Sequence, residues 1–291
     1  VNVADMTISL KKHYADFKAD CMLILGDAVK SGWDMSNSVA MLEGESGVWT
    51  ATVYLAADQG FKFYAENDIF NGLQYRAAGE ENVTLAEGAA TSLVSSEVNR
   101  NDSKFQVAEA GNYVITCDLN AGTITVKKAD YQDNEIVYAA LWLVGDATEN
   151  GWDLGQPVVL AQDASNPMVY TATADLKEGE LQVVVNKFTS YNSDVYVSDA
   201  TDATKAILVN KDSEKNNWKI TEAGKYDVKL NVLDNTMSII KNVPSAISSV
   251  NANGEQAPVE YYTLEGMRVN QQVKGIYIMR QGNKVVKVSN K

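Results

Sequence analysis

Short runs of alternating apolar and polar residues, punctuated by Gly, Asn and Asp, make up most of this chain. Trp49-Thr-Ala-Thr-Val-Tyr-Leu55 alternates with period two, as does Phe61-Lys62-Phe63. Phe105-Gln-Val-Ala-Glu-Ala-Gly111 leads into Tyr113-Val-Ile-Thr-Cys-Asp-Leu119, and the turn Asn120-Ala-Gly122 precedes Thr123-Ile-Thr-Val-Lys127. Such alternation, with turn residues between, predicts the strands of a β-sandwich. No stretch of this block keeps a helical period beyond about two turns. Leu23-Ile-Leu-Gly-Asp-Ala-Val-Lys-Ser-Gly-Trp33-Asp34 reads as a buried strand, a short polar loop, and a Trp directly after a Gly.

The pattern then returns. Gly26-Asp27 matches Gly145-Asp146, Trp33 matches Trp152, and Trp49-Thr-Ala-Thr52 matches Tyr170-Thr-Ala-Thr173. Phe105 to Tyr113 matches Trp218-Lys-Ile-Thr-Glu-Ala-Gly-Lys-Tyr226. The offset is 119 at the first two matches, 121 at the third and 113 at the last, so the length changes sit in loops. Matches at both ends and the middle predict a duplicated domain. The expected architecture is all-β: two tandem immunoglobulin-like sandwiches over 21–129 and 136–242, each with its own core, plus a small C-terminal β domain over 243–291. The charged stretch Lys127 to Glu135 reads as the linker between the sandwiches.

The ends differ from the repeats. Residues 1–20 hold a strand-like Met6-Thr-Ile-Ser-Leu10 followed by Lys11-Lys-His-Tyr14. Val243 to Pro258 is small, polar and bracketed by Pro, a linker or an extended strand. After it come Tyr261-Tyr-Thr-Leu264, a turn at Glu265-Gly266, Met267-Arg-Val269, Gly275 to Met279, a turn at Gly282-Asn283, and Lys284 to Val288. These are two hairpins, too few residues for a large core of their own.

Composition narrows the function classes. A net charge of −13, from 25 Lys and Arg against 38 Asp and Glu, repels phosphate backbones and anionic lipid. Nucleic acid is a poor partner for it, and no apolar run reaches the roughly 18 residues of a membrane-spanning helix. The single histidine, His13, cannot make a His cluster for a metal. Cys21 and Cys117 align with Ala140 and Leu230, which points to plain apolar core positions, although a disulfide within the first repeat stays open. No metal or cofactor is expected.

The candidate chemistry centres on the loop tryptophans, because a loop Trp needs something to cover its ring. In Phe61-Lys62-Phe63 both phenylalanines face the core and Lys62 faces out. Trp33, Lys62, Phe70, Tyr75 and Arg76 are expected to converge on one surface. A flat ring beside cationic groups suits a sugar, whose C–H face packs on the ring while its hydroxyls take hydrogen bonds. The second repeat keeps Trp152 but has Gln182 in place of Lys62, with Asn186, Lys187, Phe188 and Tyr191 following. The first repeat is thus expected to be the stronger site. Trp49, Tyr170, Trp142 and Trp218 read as packing residues. The competing expectation is that Trp33 plugs the end of the sandwich and Lys62 is a solvated strand lysine.

The Gly-Asp-Ala to Gly-Trp stretch, the aromatic-Thr-Ala-Thr strand and Phe61-Lys62-Phe63 together resemble the tandem starch-binding modules of the SusE/SusF outer-membrane lipoproteins of Bacteroidetes. Their order is also similar to that of family 20 starch-binding modules. The resemblance implies non-catalytic binding of an α-1,4-glucan at the cell surface, in company with outer-membrane glycan-uptake proteins. It implicates Trp33, Lys62, Tyr75 and Arg76 in the first repeat, and Trp152, Lys187 and Tyr191 in the second. The tail, with Tyr262-Thr-Leu-Glu-Gly-Met-Arg-Val269 and Gly275-Ile-Tyr-Ile278, resembles Bacteroidetes C-terminal β domains, some of which are sorting signals for secretion. That implies display at the surface or release. The remaining expectations are a structural or adhesive sandwich protein and a glycosidase. No recognisable carboxylate pair supports the latter.

Overall fold

The computed structural model describes residues 18–66, 70–242, 258–264, 266–269, 275–281 and 284–290. Among them every regular element is a β-strand, so the chain is all-β and sandwich-like. It divides into two compact units, Val1–Asn242 and Val243–Lys291. The strand-like Met6–Leu10, His13, the stretch 243–257, and the turn residues Glu265, Gly282 and Asn283 fall outside the described residues.

In the first repeat the hydrogen-bonded order is Val39–Ala40, Leu23–Gly26, Phe61–Tyr64, Gln74–Ala77, Thr91–Ser95, Thr123–Lys128, Gly111–Asp118, Val48–Leu55 and Leu42–Glu43. Phe105–Val107 joins Phe61–Tyr64 on one side and runs parallel to Val83–Leu85 on the other. In the second repeat the order is Ala206–Val209, Val195–Ser198, Gly179–Val184, Ala140–Val144, Val158–Gln162, Val169–Leu176, Gly224–Asn231 and Thr236–Lys241. Trp218–Ile220 pairs with Gly179–Val184.

Period two decides which side chains meet. Phe61, Phe63 and Phe105 point into the first core, their ring centroids 5.8 to 6.1 Å apart. Trp49 lies in the same core. Tyr170 and Trp218 occupy the second, where the Trp218 indole donates to the Ala203 carbonyl at 2.9 Å. Each Gly-Asp corner is held by a backbone approach that only Gly permits. A Cβ on Gly26 would stand 2.1 Å from the Gly60 carbonyl oxygen, and one on Gly145 would stand 2.2 Å from that of Glu180.

A third apolar cluster joins the repeats. Cys21, Leu23, Leu25, Ala40 and Tyr64 pack with Ala140, Trp142, Val144, Val184, Val195 and Val197, all from the faces opposite the two cores. Polar bonds cross the same boundary: Asn186 Nδ2 donates to Ser38 Oγ at 3.0 Å, and the Asp194 amide donates to Asn37 Oδ1 at 2.8 Å. Gln162 Nε2 donates to the Thr52 carbonyl at 3.0 Å. The segment between the repeats is clasped too, since buried Asn112 donates to the Tyr131 and Asn134 carbonyls and accepts from the Ile136 amide. Cys21 sits in the joining cluster and Cys117 in the first core, and both are free thiols. Burial pushes the Cys21 thiol up to about 12 and raises that of Cys117 as well.

The tail unit is a four-stranded sheet in the order Arg268–Val269, Val259–Tyr262, Gly275–Gln281, Lys284–Asn290. Among its described residues Tyr277 is buried, and Glu260 accepts from Arg268 at 3.0 Å and from the Tyr262 hydroxyl at 2.9 Å.

Candidate functional site

Both tryptophan loops are built alike from their sequence. After the Gly corner the chain closes a short loop, with Gly26 N–H bonded to the Gly32 carbonyl and Gly145 N–H to that of Gly151, each at 2.9 Å. Gly32 and Gly151 take φ of 60° and 62°, a left-handed conformation suited to Gly. The Asp of each Gly-Asp then accepts the indole N–H, Trp33 to Asp27 at 3.0 Å and Trp152 to Asp146 at 2.9 Å. The next residue, Asp34 or Asp153, caps the following turn by accepting a backbone amide. The repeated Gly-Asp is therefore an anchor that fixes the edge of the ring.

Around Trp33 the outer face of the sheet carries Lys62, Tyr64, Gln74 and Arg76. Lys62 pairs in register with Leu25, and Tyr64 with Gln74, so these share a face. Lys62 Nζ lies 5.5 Å from the Trp33 ring centroid and 5.5 Å from that of Tyr64. It is nearly buried and bonds Asp102 Oδ1 at 2.5 Å. Lys104 Nζ lies 5.7 Å from the Trp33 centroid and bonds Asp102 Oδ2 at 2.8 Å. Burial holds the Lys62 ammonium below its usual range, against the pull of Asp102. Burial opposes the Asp102 carboxylate as well, but hydrogen bonds from Lys104 and Lys62 outweigh it and lower that group. Arg76 donates to the Asn101 carbonyl at 2.7 Å and to Gln74 Oε1 at 2.5 Å. Phe70 is exposed, its ring 5.3 Å from that of Tyr64.

Tyr75 is a correction. It pairs with Phe63, which puts it on the core face, where it is 1% exposed and its hydroxyl donates to the Lys18 carbonyl at 2.8 Å. Neighbours in one strand point to opposite faces, so Tyr75 and Arg76 cannot both line one surface. Lys62 does lie on the outer face, yet it is enclosed rather than solvated. Trp33, Lys62 and Arg76 come together; the residues that sequence reasoning missed are Tyr64, Asp102 and Lys104. Tyr64 had a legible signal, two positions after Lys62 on the same face.

The second loop is more open. Trp152 and Tyr191 are each more than a third exposed, and the Tyr191 hydroxyl donates to the Trp152 carbonyl. Ser190 and Tyr191 take φ of 50° and 64°, an uncommon state for two successive non-Gly residues that costs on the order of 1 kcal/mol or more each. Buried Asn186 braces the loop on either side of them: its Oδ1 accepts from the Phe188 amide at 2.9 Å, its carbonyl accepts from Ser193 Oγ at 3.2 Å, and its Nδ2 donates to Ser38. Asn186 is thus a fastener between the repeats. Lys187 Nζ lies 4.8 Å from the Phe188 ring centroid. Its ammonium is lowered by burial, with Asp153 opposing, and no ion pair holds it among the described residues. Lys187 lines a pocket of about 390 Å³ with Leu154, Gly155, Phe188, Ser190 and, from the leading edge of the first repeat, Asp20. That volume is in the range of small-ligand sites. Gln182, on the strand position that matches Lys62, pairs in register with Val144 and is buried.

No group of three metal-ligating side chains occurs among the described residues. No family model and no curated protein matches the chain. Among solved structures it is similar to SusF from Bacteroides thetaiotaomicron, at 14% identity over 77% of this chain and 48% of that one, with a TM-score of 0.29. The chain spans about half the length of that structure. A likeness of that degree bears on neither the fold nor the site.

Proposed function

We propose that the protein is a non-catalytic glycan-binding protein whose principal site is the Trp152 loop of the second repeat. The observation that carries this is the make-up of the Trp152 loop and its neighbour: an indole anchored at its edge by Asp146, an exposed Tyr191 bonded to the Trp152 backbone, and, four residues before Tyr191 in the chain, a Lys187 ammonium that no carboxylate pairs among the described residues. Rings of fixed orientation offer a sugar C–H face a platform, and an ammonium without a carboxylate partner is a donor for hydroxyls. In the first repeat the same platform is occupied from within, since Lys62 and Lys104 stand at the Trp33 ring and share Asp102. Trp33 is a weaker surface there, with Phe70 as the exposed aromatic. The resemblance in sequence makes an α-glucan the first ligand to try, and surface display through the C-terminal β unit the setting. No helix among the described residues is long and apolar enough to cross a membrane.

The test is tryptophan fluorescence titrated with maltooligosaccharides. The expected outcome is a saturable change that weakens at least tenfold, about 1.4 kcal/mol, in Trp152→Ala, and less in Trp33→Ala. Lys187→Met is expected to weaken binding several-fold without lowering the urea midpoint. No response to any α-glucan would remove that ligand class. Equal loss in Trp33→Ala and Trp152→Ala would remove the ranking of the sites. A second reading, a sandwich protein without a sugar site, is favoured by one observation, the cationic covering of Trp33, and would be supported by silence of both loops toward a wider glycan panel.

A further inference from the structure

The duplicated fold contains one strand seat twice, once filled and once open. In the first repeat Phe105–Val107 has neighbours on both edges: Phe61 pairs with Phe105, and Val83–Leu85 runs parallel in the register Val83 to Phe105 and Leu85 to Val107. Leu85 is buried in the first core, and Val83 packs against it. This covering segment belongs to residues 78–92, between the paired positions Ala77 and Leu93. The matching pair in the second repeat is Ser198 and Ala206, with only 199–205 between them. The residues missing are those of the covering strand.

The frame around the seat is retained. Leu93 N–H to the Gly122 carbonyl, at 2.9 Å, has its counterpart in Ala206 N–H to Asn235, also at 2.9 Å. Tyr113 hydroxyl to the Glu109 carbonyl, at 2.8 Å, recurs as Tyr226 to Glu222 at 2.7 Å. The ion pair of Lys128 with Glu109 recurs as Lys241 with Glu222. Yet among the described residues no strand lies along the outer edge of Trp218–Ile220. A cleft of about 980 Å³ runs there, between Trp218–Thr221 and Met237–Ile240. Its floor is less covered: Val126 is 1% exposed, while the matching Ile239 is only partly buried; on the other face of that strand an exposed Ile240 stands where the first repeat has an exposed Lys127.

We propose that this cleft binds an extended polypeptide segment of a partner protein, apolar-polar-apolar in sequence and followed by a carboxylate. A free strand edge supplies main-chain hydrogen bonds, and the cleft takes alternate side chains. The filled seat shows what the occupant needs: the Val83-Thr84-Leu85 pattern, Glu87 accepting from the Lys128 amide at 3.0 Å, and Gly88 N–H donating to the Val126 carbonyl at 2.8 Å. Their counterparts are the Lys241 amide and the Ile239 carbonyl. Charge fits as well, since exposed Lys229 lines the cleft, next to Lys219, which pairs with Glu180 at 3.8 Å. A second copy of the chain is disfavoured as occupant because each carries −13.

The probe is the capped peptide Glu80 to Ala90 added to the full chain and followed by amide hydrogen exchange. Binding is expected to slow exchange of the Trp218–Thr221 amides at least tenfold, and a peptide with Val83→Asp and Leu85→Asp is expected to bind at least tenfold more weakly. Replacing residues 199–205 by 78–92 is expected to give the same protection without peptide and to abolish binding in trans. No protection at millimolar peptide, equal binding of the Asp-substituted peptide, or protection confined to other strands would each overturn the proposal. So would protection that instead follows chain concentration and dimerisation in sedimentation.

Discussion

At the scale of single residues, the Asp102 triangle sets the character of the first loop. Asp102 is mostly exposed but takes hydrogen bonds from two ammoniums, one of them nearly buried. Removing the carboxylate leaves Lys62 enclosed without its partner, so Asp102→Asn is expected to cost about 1–3 kcal/mol in urea unfolding. Lys62→Met removes the charge together with its burial cost, and is expected to stay within about 1 kcal/mol of wild type. The pH dependence follows from the directions of the two shifts. Asp102 is lowered on folding, so its stabilisation is present above the unfolded carboxylate value and is lost as pH falls through the folded one. Lys62 is lowered as well, so its cost is present at neutral pH and is relieved only as pH rises past its folded value. Wild type is therefore expected to lose more stability than Asp102→Asn between about pH 5 and 3, the region where carboxylates titrate. Of this site, Trp33 and Lys62 were legible because loop position and strand parity are local properties. Asp102 was not, since it lies 40 residues from Lys62 and nothing in its neighbourhood marks it.

At the scale of elements, the Gly-Asp corners and strand parity carry most of what the chain announces about itself. A Cβ at Gly26 or Gly145 meets backbone, and φ at these positions is 147° and 141°. Gly145→Ala is expected to cost more than about 2 kcal/mol, read as a lowered denaturation midpoint with the Trp152 loop displaced. The alternation in Trp49–Leu55 and Phe61–Phe63 foretold strands and buried faces, as the pairing of Val48–Leu55 with Gly111–Asp118 shows. The same rule, applied more strictly, would have separated Tyr75 from Arg76. What could not be read was the second side of several strands. Leu23, Leu25, Trp142 and Val144 are apolar on the face away from their own cores, and a continuously apolar strand looks the same whether a helix, a sheet or a sister repeat covers it.

At the scale of the whole molecule, the described residues from 18 to Asn242 behave as one body because the repeats share an apolar seam. Trp142, 1% exposed, is its largest side chain. Trp142→Ala is expected to cost about 3–5 kcal/mol, and the two repeats are expected to unfold in one transition by both fluorescence and circular dichroism. The thiols report on the same body: Cys21 in the seam and Cys117 in the first core are expected to stay silent toward an aromatic disulfide reagent until urea unfolds the chain, then to titrate together.

The seam also changes what the duplication means. Tandem copies of a domain are ordinarily interchangeable parts, free to be added, lost or reordered along a chain. Here the outer face of one copy is the inner surface of the pair, and Asn186, the fastener of the Tyr191 loop, donates its bond to Ser38 in the other copy. Neither copy can be transplanted alone without baring apolar strands and slackening a loop. The ancestral repeat has become a non-exchangeable half.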